Sequence, residues 1–209
     1  MSDQATATAQ KNAGPQIQVD LQELLDSLFM VLTDKESMVI QKRFALNGEQ
    51  KQTLEKIGKH FNVTRERIRQ IESIALSKLK RTVRTTRLDE VNGLAKEILR
   101  NNGGLLREDR LITECLKRIV GAKDVDGAVL RLSFSIDPDM ISGSRANSFI
   151  SFWRIESLAM DDVSVIVNSI VKILKKRKNC MQTGEIVSAI QALNLFDGRV
   201  PSRELIASC

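Results

Sequence analysis

Residues 53–81 read TLEKIGKHFNVTRERIRQIESIALSKLKR, and they write a short helix, a tight turn and a second helix. Thr64 stands where the second helix begins, and its hydroxyl can accept one of the amides that a helix start leaves unpaired. Glu66 falls in the first turn, where the helix macrodipole favours an anion. At about 100° per residue, Ile68, Ile71, Ala75 and Leu79 form one stripe, and Arg65, Glu66, Arg69, Gln70 and Ser73 lie opposite. The apolar stripe can pack on the preceding helix through Leu54, Ile57 and Phe61, which leaves the other face projecting as forked donors and acceptors. Such groups suit base edges: Arg pairs with guanine, Glu accepts from cytosine and Gln pairs with adenine. The pattern implies a helix-turn-helix whose second helix faces DNA.

A solvated charged face would also be polar, so the distribution of charge matters. Residues 51–87 hold eleven Lys or Arg against three acids, a net +8, whereas the whole 209-residue chain carries only +6. The basic character is therefore concentrated on one element, as an electrostatic footprint for phosphate requires.

The strings LTDKESMVIQKRF (residues 32–44) and LEKIGKHFNVTRERIRQIE (residues 54–72) carry a resemblance. The stretch from about Leu24 to Arg81 resembles region 4 of bacterial housekeeping-type sigma factors. The resemblance implies that the second helix reads a minus-35-like promoter element in the major groove. Carried over by position, Arg65, Glu66 and Gln70 would read bases. Arg43, Thr64, Arg67 and Arg69 would hold the DNA backbone or support the readers, and Ser73 lies on the same outward face. The resemblance also implies docking on the β flap of RNA polymerase through the first helices, here roughly Leu21 to Leu32 and Asp34 to Phe44. Leu24, Leu25, Leu28, Phe29 and Leu32 exceed what one short helix needs for its own core, which suits a partner groove. There are departures. Ala45 replaces the usual glycine of the turn after the second helix, and Ile74 and Ser77 stand where the family commonly carries basic residues. The chain has no Tyr and one Trp, so it offers little from which to build a promoter-melting surface.

The rest of the composition removes other classes. No run of 18 or more apolar residues exists, so no membrane span is expected. Cys115, Cys180 and Cys209 are an odd, widely spaced set with a single His, His60, for company. Neither a metal site nor a disulfide framework is expected, and a reducing cytoplasm, at the bacterial nucleoid, fits. The chain shows no phosphate-cradling loop and no nucleophile motif; Gly103-Gly104 reads as a turn between helices. No catalytic residue, cofactor or small-molecule substrate is expected. The first residues, MSDQATATAQKNAGPQ, are small and polar and read as a disordered arm, taken to end at residue 20.

Helices are expected at 21–32, 34–45, 53–60 and 64–84, the second opened by a Thr33–Glu36 capping box. The basic segment 82–87 closes this first domain. From Leu88 a new stripe begins with Val91, Leu94, Ala95, Ile98 and Leu99. A second helix containing Leu106, Leu111, Ile112 and Leu116 and a third at 124–134 follow. SGSRANSFISFWRI, residues 142–155, reads as a turn and a strand. Three helices and a hairpin make a winged-helix-like domain over 88–158. A shift of 75 residues aligns Leu88 with Val163, Val91 with Ile166 and Ile112 with Val187, which suggests a second unit over 159–209, wingless or truncated. The order of elements resembles winged-helix modules of the HARE-type helix-turn-helix kind and of the RNA polymerase δ subunit. The run Lys175, Lys176, Arg177, Lys178 either complements a helix C-terminus or meets phosphate.

The sequence thus predicts a mainly α protein with short β wings and a sigma-like function on double-stranded promoter DNA, with RNA polymerase as partner. A promoter-binding repressor independent of polymerase, and a DNA-targeting arm of a larger assembly, are the alternatives. Oligomeric state is left open.

Overall fold

The computed structural model describes residues 16–123, 126–143, 150–177, 180–196 and 200–209. Among these, the chain is mainly helical with a small three-stranded antiparallel sheet. It forms two compact units, each drawn from two stretches: Met1–Gly93 with Ile112–Asp137, and Leu94–Leu111 with Pro138–Cys209.

The first unit opens with α1 (Leu21–Phe29), α2 (Asp34–Phe44), α3 (Leu54–Phe61) and α4 (Arg65–Thr82). Each has a side-chain N-cap. Asp20 accepts from the amides of Gln22 and Glu23, Thr53 from Lys56 and Thr64 from Arg67. Thr33 and Glu36 form the full capping box, with the Thr33 amide donating to Glu36 Oε2 at 2.8 Å. The ends are equally local. Ala45 closes α2 at φ +62° and Asn62 closes α3 at φ +53°, both left-handed. That conformation is where glycine is at ease and alanine is strained. A glycine preference at position 45 thus has a backbone cause, and this chain tolerates the strain.

Val39, Ile57, Ile68 and Ile71 form a buried cluster, with Leu54, Phe61 and Val63 packed on it. Two ion pairs tie α2 to α4 beside that cluster. Lys78 Nζ donates to both carboxylate oxygens of Glu36, at 2.9 and 2.8 Å, and Glu36 is buried. Arg43 Nε donates to Glu72 at 2.9 Å, and its Nη1 donates to the Gln52 carbonyl at 2.8 Å. The hydrogen bonds from Lys78 and from the Thr33 amide hold the Glu36 carboxyl below its ordinary value of 4.5. A depressed folded value means the pair stabilises above the unfolded value and the contribution disappears as pH falls through the folded one. Glu36→Gln keeps the cap but removes the charge. The variant is expected to melt lower than the parent at neutral pH, with the gap closing as pH drops below 4.5. Paired thermal melts across that range check this; a gap independent of pH would contradict it.

Two more helices, α5 (Leu88–Asn101) and α6 (Glu108–Arg118), contribute residues to both units, and α7 (Gly127–Ile136) belongs to the first. α7 packs on α1, α2 and α4 and is buried almost all round. Its one deeply placed hydroxyl, Ser133, donates to Asn92 Oδ1 at 2.6 Å, so neither polar side chain is left unpaired. The linear division expected at residues 87 and 158 therefore differs from the packing. Helical periodicity says that α7 is apolar but not which neighbours it covers. The stretch expected as a polar arm, residues 1–20, also overlaps the first unit. Its first fifteen residues lie outside the described ones, but Ile17 bridges Ile119 and Val19 is buried.

In the second unit, β1 (Leu105–Arg107), β2 (Met140–Gly143) and β3 (Phe152–Ile155) pair in the order β1-β3-β2. Leu105 sits opposite Arg154, and Met140 opposite Ile155. Leu106, expected in a helix, is in a strand. Gly103 and Gly104, expected between helices, turn the chain from α5 into β1 at φ +79° and +89°. The strand of FWRI is where the sequence placed it; the turn residues 144–149 lie outside the described ones. Three helices complete the unit: α8 (Met160–Arg177), α9 (Thr183–Ala192) and α10 (Arg203–Ser208). Their Val163, Ile166, Val187, Ile190, Leu205 and Ile206 share a core with Leu105 and Phe152 from the sheet. Residues 160–209 are thus not a core of their own. Ser202 caps α10, its hydroxyl accepting from the Leu205 amide at 3.1 Å. The 75-residue correspondence also fades along the helix, since Leu99 is fully buried and Leu174 is exposed.

Candidate nucleic-acid interface

The turn between α3 and α4 sets the geometry of the interface. A Cβ at Gly58 would lie 2.7 Å from the Val63 carbonyl oxygen and 3.5 Å from the Arg65 amide nitrogen. Only glycine lets the chain fold back this closely. The Val63 amide donates to the Gly58 carbonyl at 2.9 Å, which locks the turn. With Ile68, Ile71, Ala75 and Leu79 buried, the remaining face of α4 is fixed outward.

Arg65, Glu66, Arg67, Arg69, Gln70, Ser73 and Ile74 are all exposed on α4. The structure brings most of them into pairs. Arg69 grips Glu66 with three hydrogen bonds of 2.7–3.1 Å. Arg67 Nη1 donates to Gln70 Oε1 at 3.1 Å. The Arg69 guanidinium holds the Glu66 carboxyl below the ordinary carboxylate range, so Glu66 presents an acceptor at neutral pH. Exposed pairs of this kind contribute little to stability. Their consequence is orientation: two cations and two neutral or anionic groups are aligned along one helical face. Arg65 differs, since its side chain has no hydrogen-bond or ion-pair partner among the described residues. It lines an open groove with Arg43, Thr53, Leu54 and Glu55.

Thr64 spends its hydroxyl on the Arg67 amide, at 3.2 Å, and so places the first turn of α4. Arg43 is the least exposed of the expected set, and its bonds to Glu72 and the Gln52 carbonyl make it a brace between α2, the approach to α3, and α4. Sequence reading missed its partner Glu72, as well as the Glu36–Lys78 pair. The one signal was that Glu72 and Lys78 flank the apolar stripe of α4. His60 stacks edge-on to Phe61, with 5.1 Å between ring centroids, and Lys35 lies over the same ring.

Among the described residues, no cluster of His, Cys, Asp or Glu could hold a metal ion, and no helix is long and apolar enough to cross a membrane. Cys115 is buried, which pushes its thiol up to about 12.

Residues 28–81 match the family model described as "Sigma-70, region 4". The match begins in α1 and ends in the last turn of α4, so it takes in the whole helix-turn-helix and its outward basic face. By this match the segment resembles region 4 of sigma-70 factors, a DNA-binding helix-turn-helix of transcription regulation.

Proposed function

We propose that the chain is a sigma-like transcription factor that seats α4 in the major groove of a minus-35-like promoter element. The supporting observation is the arrangement of α4: its apolar stripe is buried, and Arg65, Glu66 and Gln70 share the opposite face. In this reading Arg65, Glu66 and Gln70 meet base edges. Arg67 and Arg69 orient Gln70 and Glu66 and reach phosphate, Ser73 extends the same face, and Thr64 and Arg43 hold the helix in position. Each good base contact provides roughly 1–3 kcal/mol of discrimination. Arg65→Ala should therefore relax the preference at one position of a site selected from random duplexes, with the protein still folded. An unchanged site after that substitution would overturn the assignment of α4.

Contact with RNA polymerase is the second part of the proposal, through the corner between α1 and α2. Of the expected set, Leu25 and Leu28 belong to the protein's own core, while Leu24, Phe29 and Leu32 are half-buried. Met30 is 84% exposed, Val31 beside it in the chain is exposed too, and so is Met38 on α2. Such side chains suit a partner groove. Co-purification of the full chain with core polymerase, lost on Met30→Glu, would support a β-flap contact. Promoter binding without any polymerase association would favour a repressor.

A further inference from the structure

The C-terminal end of α8 carries a charge cluster that the helix-turn-helix does not use. Residues 172–178 contain five Lys or Arg and no acid. Lys172, Lys175 and Lys176 stand at i, i+3 and i+4, so they share one helical face. Asn168 and Ser169, one turn earlier, continue that face as uncharged hydrogen-bonding groups. The opposite face is committed, since Val163 and Ile166 are buried and Val167, Ile170 and Ile173 pack on the same core.

The three lysines are exposed and have no hydrogen-bond or ion-pair partner among the described residues. Three other cations of this unit are engaged, whereas Arg100, Arg110 and Arg203 stand apart from the α8 face. Lys96 pairs with Asp139 at 3.2 Å, Arg107 with Asp109 at 2.6 Å, and Arg154 donates to the carbonyls of Ile155, Glu156 and Leu158. Arg177 is turned elsewhere, into an open groove with Glu185, whose carboxylate accepts from the Gln182 amide that opens α9.

A helix C-terminus accounts for only part of this charge. Its macrodipole is equivalent to about half an elementary charge and acts within the last turn. Three lysines on one face repel one another at these spacings, so their alignment is a liability until an anion lies along them. A membrane surface fits less well, because the apolar side of α8 is already used in the core. Only Val165, Val171 and Leu174 remain exposed, none of them above 40%. A linear polyanion with a regular charge spacing matches a polar stripe tipped with lysines.

We propose that the face of α8 formed by Lys172, Lys175 and Lys176 is a second, sequence-independent contact with the phosphate backbone of double-stranded DNA. It rests on the reading that α4 brings the chain to DNA. Unit two thereby adds affinity without adding sequence information, because phosphate contacts position a protein and base contacts specify the site.

The test compares full-length protein with the triple variant K172Q/K175Q/K176Q on two long duplexes, one carrying the selected site and one scrambled. Affinity is measured against salt concentration. Each phosphate contact contributes about 0.9 to the slope of log affinity against log salt. The variant should flatten that slope by about 2–3 units on both duplexes, leaving the preference between them unchanged. The arginine variant K172R/K175R/K176R should keep the parental slope. A slope within about half a unit of the parent on both duplexes would overturn the proposal. Loss of binding to phosphatidylserine vesicles with the DNA slope retained would overturn it in favour of a membrane partner. If the parent shows no preference between duplexes, the reading of α4 fails, while the slope still decides the role of α8. The side chains are exposed and unpartnered, so unchanged thermal melts are expected for both variants.

Discussion

Gly103→Ala opens the second unit. Gly103 sits at φ +79°, where an L side chain is strained by roughly 1–2 kcal/mol. The added Cβ would also overlap the backbone of Leu205, in the first turns of α10. Backbone cannot rotate away as the tip of a side chain can, so α10 must shift. Leu205 and Ile206 go with it, and both are buried with Leu105, Phe152, Val187 and Ile190. Overpacking of this kind costs about 1–3 kcal/mol, for a combined loss of about 2–5 kcal/mol. Hydrogen exchange should show it as faster exchange in β1, β3, α9 and α10 than in the parent. Parental exchange rates there would mean that α10 moves at no cost and that its apolar residues are not held by the unit.

The second large effect separates fold from recognition. Ile68 is fully buried in α4, between the residues that face outward. Ile68→Ala removes methylene groups from the cluster of Val39, Ile57 and Ile71 without touching Arg65, Glu66 or Gln70. Alanine is the best helix former, so helix propensity does not suffer. The expected loss is about 2–5 kcal/mol of stability, set by how little the cluster can collapse around the gap. Denaturant melts should show a lower midpoint at an unchanged slope. DNA affinity should fall in step with the folded fraction, and the selected site should stay the same. A changed site at full folding would mean that Ile68 shapes the presentation of the bases' partners, not merely the population of the folded domain.

The helix-turn-helix was legible because its signals are local. Thr33 and Thr64 stand one residue before their helices and cap them as their positions imply, while Thr53, expected inside its helix, caps it instead. The stripe of Ile68, Ile71, Ala75 and Leu79 repeats at the helical period and is the buried stripe. Harder to read were contacts between residues far apart in sequence. Arg43 was expected to hold the DNA backbone or support the readers because the resemblance placed it there, and its bonds to Glu72 and the Gln52 carbonyl required knowing where α2 crosses α4. Leu25 and Leu28 looked like surplus apolar surface; α7, about a hundred residues later, belongs to the same unit and packs on their helix.

By itself the sequence determined the four helices of the DNA-binding domain, the face of α4 that turns outward and the concentration of positive charge on it. Capping, periodicity and charge act within a few residues and need no partner. Only the tertiary structure decided that Leu106 is a strand residue, that α7 belongs with the first unit and that Leu205 and Ile206 share a core with the sheet. A three-residue strand such as β1 has no period of its own. Its conformation is set by the hydrogen bonds of Leu105, Leu106 and Arg107 to a strand about fifty residues away, and an apolar residue carries no mark of which distant surface it will cover.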